Sequence, residues 1–164
     1  MNIKKITLTF LLMISLSNLF GQKLKAVDDS NVFDKAEYHI ETMLEEGLSE
    51  DQAYVHIGLF FAWIINNDLT SEYFNDENAE EIKLHKNRKI SPCQIFKDWD
   101  GVLIGEQLNK LGYNFTLNYY DQKYLDDYQK GLKINDDDLF KVQDSWESYD
   151  MLKKVLDKAF KKWK

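Results

Sequence analysis

Apolar residues recur along most of this chain at the three- and four-residue spacing of an α-helix, whereas strict alternation of apolar and polar residues is rare. The most apolar segment covers residues 50–66, where apolar side chains fall on nearly every side of the predicted helix. A helix without a polar face is typical of one that is packed on several sides. The pattern therefore predicts an all-α fold, a single compact domain of about five to six helices around this central helix.

Capping residues indicate where several of the predicted helices begin. Ser49 begins a capping box at the start of the central helix, and Ser91 precedes a proline at the first position of another helix. Residues 22–36 are mostly polar and are predicted to be largely irregular. Further helices are predicted over residues 33–46 and 106–120, and the last helix is predicted to bury one face while its lysines face water.

The first 21 residues have a different pattern from the rest of the chain. Lys4 and Lys5 precede an uncharged, mostly apolar run over residues 6–20, and a small residue follows. This order is typical of a secretory signal peptide. The run is shorter than the roughly 20 apolar residues that a spanning helix needs, so a membrane anchor is the weaker alternative. We therefore expect export to the bacterial periplasm or beyond, with residues 22–164 forming one domain without a membrane span.

The charge of the chain is acidic and unevenly distributed. The whole chain carries a net charge of −7, and without residues 1–21, which hold two lysines and no acid, the charge is −9. Residues 151–164 carry +5, which leaves −14 on residues 22–150. This balance opposes nucleic-acid binding, because phosphates would be repelled, and favours a basic protein partner. Solubility of an exported protein is the alternative explanation of the acidity.

The sequence contains no motif that predicts catalysis, a metal site or a cofactor. His39, His56 and His85 lack the spacing of a zinc motif, and a single cysteine, Cys93, cannot form a structural zinc site. We interpret His56, which lies in the central helix, as a hydrogen-bonded core histidine rather than a ligand or an acid–base group. Cys93 is predicted to be buried, with a reactive thiol as the alternative. A site assembled from distant carboxylates stays open, because such pairs leave no local spacing.

Tyrosines and acids alternate over residues 119–128. In a helix, Tyr120, Tyr124 and Tyr128 would share one face. Tyrosine suits contact surfaces, and with neighbouring acids it would suit a basic partner, but the same stripe also fits a helix core. The predicted partner-binding residues are Tyr120, Asp121, Tyr124, Asp126, Asp127 and Tyr128.

Two segments, residues 53–69 and 91–128, together resemble the uncharacterised bacterial family DUF7832. The similarity covers about residues 33–130, and the order of the two segments is part of it. The matching positions are His56-Ile57-Gly58, Trp63, Asp100-Gly101, Leu108-Asn109, Tyr119-Tyr120 and Tyr124-Leu125-Asp126-Asp127-Tyr128. The resemblance implies no catalytic residue, and it leaves the roles of His56, Trp63, Asp100 and Gly101 open. Such small acidic domains look like those found beside bacterial toxin genes, which implies an immunity role. This chain departs from the family in having a predicted signal peptide, since the relatives look cytosolic.

These observations favour a binding protein of the immunity type that neutralises a basic effector, such as a toxin or a hydrolase. An envelope enzyme with a site assembled from distant residues is the first alternative, and it would need a deep pocket that holds His56 or Asp100 with a shifted pKa. A structural envelope protein without a dedicated ligand is the second alternative, and it would have no such pocket. The absence of a catalytic motif favours binding over catalysis.

Overall fold

The computed structural model describes residues 24–164, so the predicted signal peptide over residues 1–21 lies outside the described residues. Within this part, eight α-helices accompany one small antiparallel sheet. In chain order, the elements are β1 (Val32–Lys35), α1 (Glu37–Glu45), α2 (Val55–Asn66), α3 (Glu72–Glu77), α4 (Ala79–Lys86), α5 (Gln94–Asp98), β2 (Val102–Ile104), α6 (Lys110–Tyr119), α7 (Leu125–Leu132) and α8 (Trp146–Trp163). Short 3₁₀-helices cover Glu50–Tyr54, Gly105–Gln107 and Asp136–Lys141, and a π-helical turn covers Tyr120–Tyr124.

The prediction of a compact, predominantly helical fold is confirmed, but the described residues contain more helices than predicted and a sheet that was not predicted. Non-helical backbone at Asn78 separates α3 from α4, and the π-helical turn separates α6 from α7. The helix predicted over residues 33–46 begins only at Glu37, because residues 32–35 pair with β2. Both strands are too short to show an alternating pattern that could be recognised in the sequence.

The central helix is α2, in which every residue from Val55 to Ile65 is buried. It starts later than predicted, because the turn over Glu50–Tyr54 has 3₁₀ geometry. Ser49 caps that turn, and its side chain accepts a hydrogen bond from the N–H of Asp51 (3.3 Å). Burial on all sides follows from the scarcity of polar residues in this helix, in which His56 and Asn66 stand among apolar side chains, and it confirms that the helix forms the centre of the core.

Aromatic side chains from α2, α6 and the π-helical turn form the middle of this core. The ring of Phe60 has its centroid 4.9–6.4 Å from those of five other rings. These rings belong to Trp63, Phe115, Tyr119, Tyr120 and Tyr124. Large rings of this kind dominate the energy of a core, because each removes a large apolar area from water.

The strand β1 contains a bulge that matters for the position of its side chains. Val32 pairs with Ile104 and Asp34 pairs with Leu103, so Phe33 is the extra residue of β1. A bulge of this type bends the strand and can redirect a side chain. The side chain of Asp34 is directed toward α1 and α2.

None of the helices described over residues 24–164 combines the length and the apolar character that crossing a bilayer requires.

The buried histidine of α4 makes the stability of the fold dependent on pH. His85 is fully buried, and its Nε2 accepts a hydrogen bond from the Asn66 side-chain amide (3.0 Å), while the ring of Trp146 lies against it. Burial lowers the pKa of His85 from 6.5 to about 4, with nearby Lys86 and Asp144 acting in opposite directions. Between these two values the unfolded chain therefore binds more protons than the folded chain.

We therefore expect His85 to reduce the free energy of unfolding by on the order of 2–3 kcal/mol as the pH falls from about 6.5 to about 4. Urea unfolding of the chain at several pH values in this window measures the effect. His85→Gln, which cannot titrate, is expected to show a shallower pH dependence than the wild type. Equal slopes for the two chains would show that other groups cause the loss.

Candidate functional site

Three side chains with metal-ligating or acid–base chemistry converge where β1, α1 and α2 meet. The Nε2 atom of His39 lies 3.0 Å from Oδ1 of Asp34, and the Nε2 atom of His56 lies 3.6 Å from Oδ2 of the same carboxylate. One ligand atom from each of the three residues lies within 4.8 Å of the other two. We call this group the Asp–His–His cluster.

Each member of the cluster is held by a different element. Asp34 follows the bulge of β1, His39 lies in the first turn of α1, and His56 is the second residue of α2. The two imidazole rings meet edge to face, with centroids 4.7 Å apart. The cluster therefore depends on tertiary packing and on no local sequence spacing.

Two aromatic residues support the cluster from other parts of the chain. The hydroxyl of Tyr120, the first residue of the π-helical turn, donates a hydrogen bond to Oδ2 of Asp34 (2.9 Å). The ring of Phe140 lies against both histidines, with centroids 5.8 Å from His39 and 5.5 Å from His56. Turns of π-helix are rare and occur frequently at functional sites.

The environment of the cluster determines its charges. Burial would raise the pKa of Asp34, but its interactions with His39 and His56 lower that pKa well below the usual value, so the carboxylate is ionised. Burial lowers the pKa of His56, and the nearby Asp34 offsets only part of this effect. Burial, and then the negative charge of Asp34, raises the pKa of Tyr120 well above its usual value. Tyr120 is therefore a hydrogen-bond donor throughout the physiological range.

His56 is buried without the hydrogen bonds that a core histidine usually makes. Its side chain is 3% exposed, its Nδ1 has no hydrogen-bond partner among the described residues, and 3.6 Å from Nε2 to Asp34 is too long for a hydrogen bond. Buried polar atoms are normally paired. The prediction of a core histidine is therefore correct about burial, and the only carboxylate near its ring among the described residues is that of Asp34, at 3.6 Å.

The cluster opens into a cavity of about 290 Å³. Its lining residues are Phe33, Asp34, His39, His56, Tyr120, Asp121 and Leu125. This cavity and the lowered pKa of His56 meet part of what the enzyme alternative required, but the cavity is open to solvent rather than deep. Asp100 does not contribute, since it is exposed and lies outside the cavity lining.

Tyr120, Tyr124 and Tyr128 are buried, so the helix-core interpretation of the tyrosine stripe holds and these three side chains do not form the predicted partner-binding surface. Tyr124 donates a hydrogen bond to the backbone oxygen of His56, and its ring stacks on that of Tyr120. Tyr128 is fully enclosed, and its hydroxyl has no partner among the described residues. The stripe therefore belongs to the core, and only Tyr120 reaches the cavity.

The predicted acids differ in exposure. Asp121 and Asp126 are exposed, and Asp121 lines the cavity. Asp127 is half-buried, accepts a hydrogen bond from the hydroxyl of Tyr119 (2.9 Å), and lies 4.0 Å from Lys130. Asp121 and Asp126 are thus available to a partner, whereas Asp127 already takes part in local packing.

The other motif positions have structural roles. Trp63 is buried, and its indole N–H donates to Asp157 of α8 (2.9 Å). Asp100 and Gly101 form a left-handed turn with φ of 56° and 63°, and a Cβ atom on Gly101 would lie 2.5 Å from the ring of Tyr54. Glycine is therefore needed at position 101.

Cys93 is buried, as predicted, and it makes no disulfide. Burial and the nearby carboxylate of Asp144 raise the pKa of its thiol well above the usual value. A thiol of this kind is unreactive, because the thiolate is the nucleophile.

The sequence reasoning missed two members of the cluster, Asp34 and His39. Spacing rules find ligands that lie on one element, whereas these residues come from a strand that was not predicted and from the helix that follows it. The sequence offered one weak indication of such a site, namely that an aspartate, Asp34, lies five residues before His39, one of three histidines in the chain.

Neither a curated protein nor a solved structure matches the chain. The model of a domain of unknown function, DUF7832, matches residues 32–142. This segment begins at the first residue of β1 and contains the whole Asp–His–His cluster, Tyr120 and the π-helical turn. The match confirms the resemblance seen in the sequence, and the chain belongs to the DUF7832 family.

Proposed function

We propose that this chain is an exported binding protein of the immunity type, which neutralises a basic effector by covering part of its surface. One observation carries the proposal: exposed acidic and apolar side chains lie together on one side of α1. We call this surface the α1 face. Its residues are Glu37, Tyr38, Glu41, Leu44 and Glu45.

The positions of these residues place them on one side of the helix. At 100° per residue, the five side chains fall within an arc of about 120°. Met43 is buried on the opposite side, and His39 points there into the Asp–His–His cluster. The α1 face is therefore a continuous exposed surface on the side of α1 that points away from the Asp–His–His cluster.

The acids of the α1 face form no salt bridges with other described residues of the chain. Within the described residues, Glu37, Glu41 and Glu45 have no basic group within 4.0 Å. Residues 36–82 contain no lysine or arginine at all. Like charges four residues apart destabilise a helix by roughly 0.2–0.5 kcal/mol per pair, and an acid near the carboxyl end opposes the helix dipole. A basic partner would relieve this repulsion.

The apolar members of the α1 face favour a protein over a small cation. Tyr38 is 64% exposed and Leu44 is 56% exposed, and Leu125, at the edge of the cavity, is also exposed. Tyrosine and leucine provide contact area at low entropic cost, and surrounding charges accelerate capture of a complementary surface. Asp121 adds a further carboxylate beside Leu125.

The test is capture of a partner by the full chain, expressed with a small C-terminal tag in the source cells so that any processing occurs. We expect a stoichiometric basic protein that is released at high salt. The Kd of this purified partner is then measured for Glu37→Lys/Glu41→Lys/Glu45→Lys, in which we expect binding to weaken at least tenfold, since attraction becomes repulsion.

The matched control reverses three exposed acids on α3 and α4, away from the α1 face. Asp76→Lys/Glu77→Lys/Glu81→Lys changes the net charge by the same amount and is expected to bind nearly as well as the wild type. Equal losses in the two variants would mean that net charge alone attracts the partner. Recovery of no stoichiometric basic protein would contradict the proposed function.

A further inference from the structure

We propose that Asp34, His39 and His56 bind a divalent transition-metal ion, with Zn²⁺ the best match, and that the cavity provides the open coordination position. The inference does not rest on the proposed function, since it uses the cluster and not the α1 face. Each of the three elements also contributes apolar side chains to the core, among them Phe33, Met43 and Ile57.

The donor set is one that such ions prefer. Two imidazole nitrogens and one carboxylate oxygen are common ligands of zinc and of other first-row divalent ions. Sites with three protein ligands leave a further position for water or for a group from another molecule. Here that position would face the cavity, because all three residues line it.

The distances between the donor atoms fit this interpretation. With bonds of about 2.0–2.1 Å, the ligand atoms of a tetrahedral zinc site lie about 3.3–3.4 Å apart. His39 Nε2 lies 3.0 Å from Oδ1 of Asp34 and His56 Nε2 lies 3.6 Å from Oδ2, so each imidazole is near this value from one of the two carboxylate oxygens, and one oxygen would have to turn toward both histidines to serve as the single ligand atom. The three atoms lie within 4.8 Å of one another, so small side-chain rotations would bring them onto one ion.

The state of His56 is a second, independent observation. Its side chain is buried, its Nε2 faces the carboxylate, and neither ring nitrogen makes a hydrogen bond within the described part of the chain. A buried imidazole without partners carries a desolvation penalty. A metal ion at the centre of the cluster would give Nε2 a ligand bond and remove part of that penalty.

Surrounding groups would support a bound ion. Tyr120 donates to Oδ2 of Asp34, which fixes the carboxylate in the way that outer-shell hydrogen bonds orient metal ligands. Phe33 and Phe140 pack around the site and limit access of water. The exposed carboxylate of Asp121 at the cavity would attract a cation.

The experiment is calorimetric titration of the full chain with ZnCl₂ near neutral pH, after treatment with a chelator and without a histidine tag. We expect one ion per chain, with Mg²⁺ and Ca²⁺ binding far more weakly. Co²⁺ serves as a spectroscopic probe, since its intense visible bands report tetrahedral coordination by nitrogen and oxygen. The proposal would be overturned by weak Zn²⁺ binding, by a stoichiometry of several ions per chain, or by a Co²⁺ spectrum typical of octahedral coordination.

Variants then identify the ligands. His39 is half-buried, so His39→Gln is expected to fold and to weaken Zn²⁺ binding at least a hundredfold, whereas Tyr120→Phe is expected to weaken it about tenfold. The control is His85→Gln, since His85 lies in α4, outside the cluster, and this variant is expected to keep full affinity. Unchanged affinity in a folded His39→Gln chain would also overturn the proposal.

Discussion

Phe60→Ala is expected to lower the free energy of unfolding by about 3–5 kcal/mol, the largest effect of any single substitution considered for this chain. Phe60 is 0% exposed, and five aromatic rings surround it. Because these rings come from three elements that are fixed by other contacts, they cannot all move inward to fill the space. The loss therefore includes both the transfer of the ring from water and the cavity that remains.

Urea unfolding followed by circular dichroism measures this prediction. Tyr38→Ala is the control, since it removes a ring of similar size from an exposed site and is expected to change the free energy of unfolding by no more than about 0.5 kcal/mol. If Phe60→Ala cost less than about 1 kcal/mol, the centre of the core would not lie on α2.

Gly58→Ala is expected to lower the free energy of unfolding by about 3 kcal/mol, although alanine is the better helix former. A Cβ atom on Gly58 would lie 2.7 Å from both Cβ and Sγ of Cys93 and 3.2 Å from its Cα. These distances are too short for carbon and sulfur atoms, so α2 and the start of α5 would have to separate. Helix propensity alone predicts that Gly58→Ala stabilises the fold, so a measured destabilisation would be diagnostic of close helix packing at this position.

A double-mutant cycle provides the check on Gly58. Cys93→Gly removes the side-chain atoms that a new methyl group at position 58 would meet. The loss of unfolding free energy in Gly58→Ala/Cys93→Gly is therefore expected to be smaller than the sum of the losses in the two single variants. Gly131→Ala in α7 is the matched control, because its nearest contact is a side-chain methyl of Val155 at 3.1 Å. Additive effects at positions 58 and 93 would contradict the predicted contact.

The helical class and the central helix could be predicted because both follow from the apolar pattern of residues 50–66. The strands could not, since β1 and β2 have four and three residues and each lies beside a helical segment. The tyrosine stripe shows what helical periodicity alone cannot predict. Periodicity indicates that Tyr120, Tyr124 and Tyr128 share a face, but it does not indicate whether that face is buried.

The Asp–His–His cluster could not be predicted from spacing. Asp34 and His56 are 22 positions apart in the numbering of the chain, and the bulge that redirects Asp34 has no sequence signature. His56 was interpreted correctly as buried, because it lies among apolar residues. Its missing hydrogen bonds depend on which groups the fold brings beside it, which a single sequence does not contain.

The π-helical turn over Tyr120–Tyr124 constrains the evolution of this family through chain length rather than through residue identity. The turn holds one residue more than an α-helical turn would. Loss of one residue there would convert the turn to α-helical geometry without rotating α7 relative to α6, so Tyr128 would stay in the core. A relative with a one-residue deletion between Tyr119 and Tyr124 should therefore keep the helical core and lose the wide turn that places Tyr120 beside Asp34.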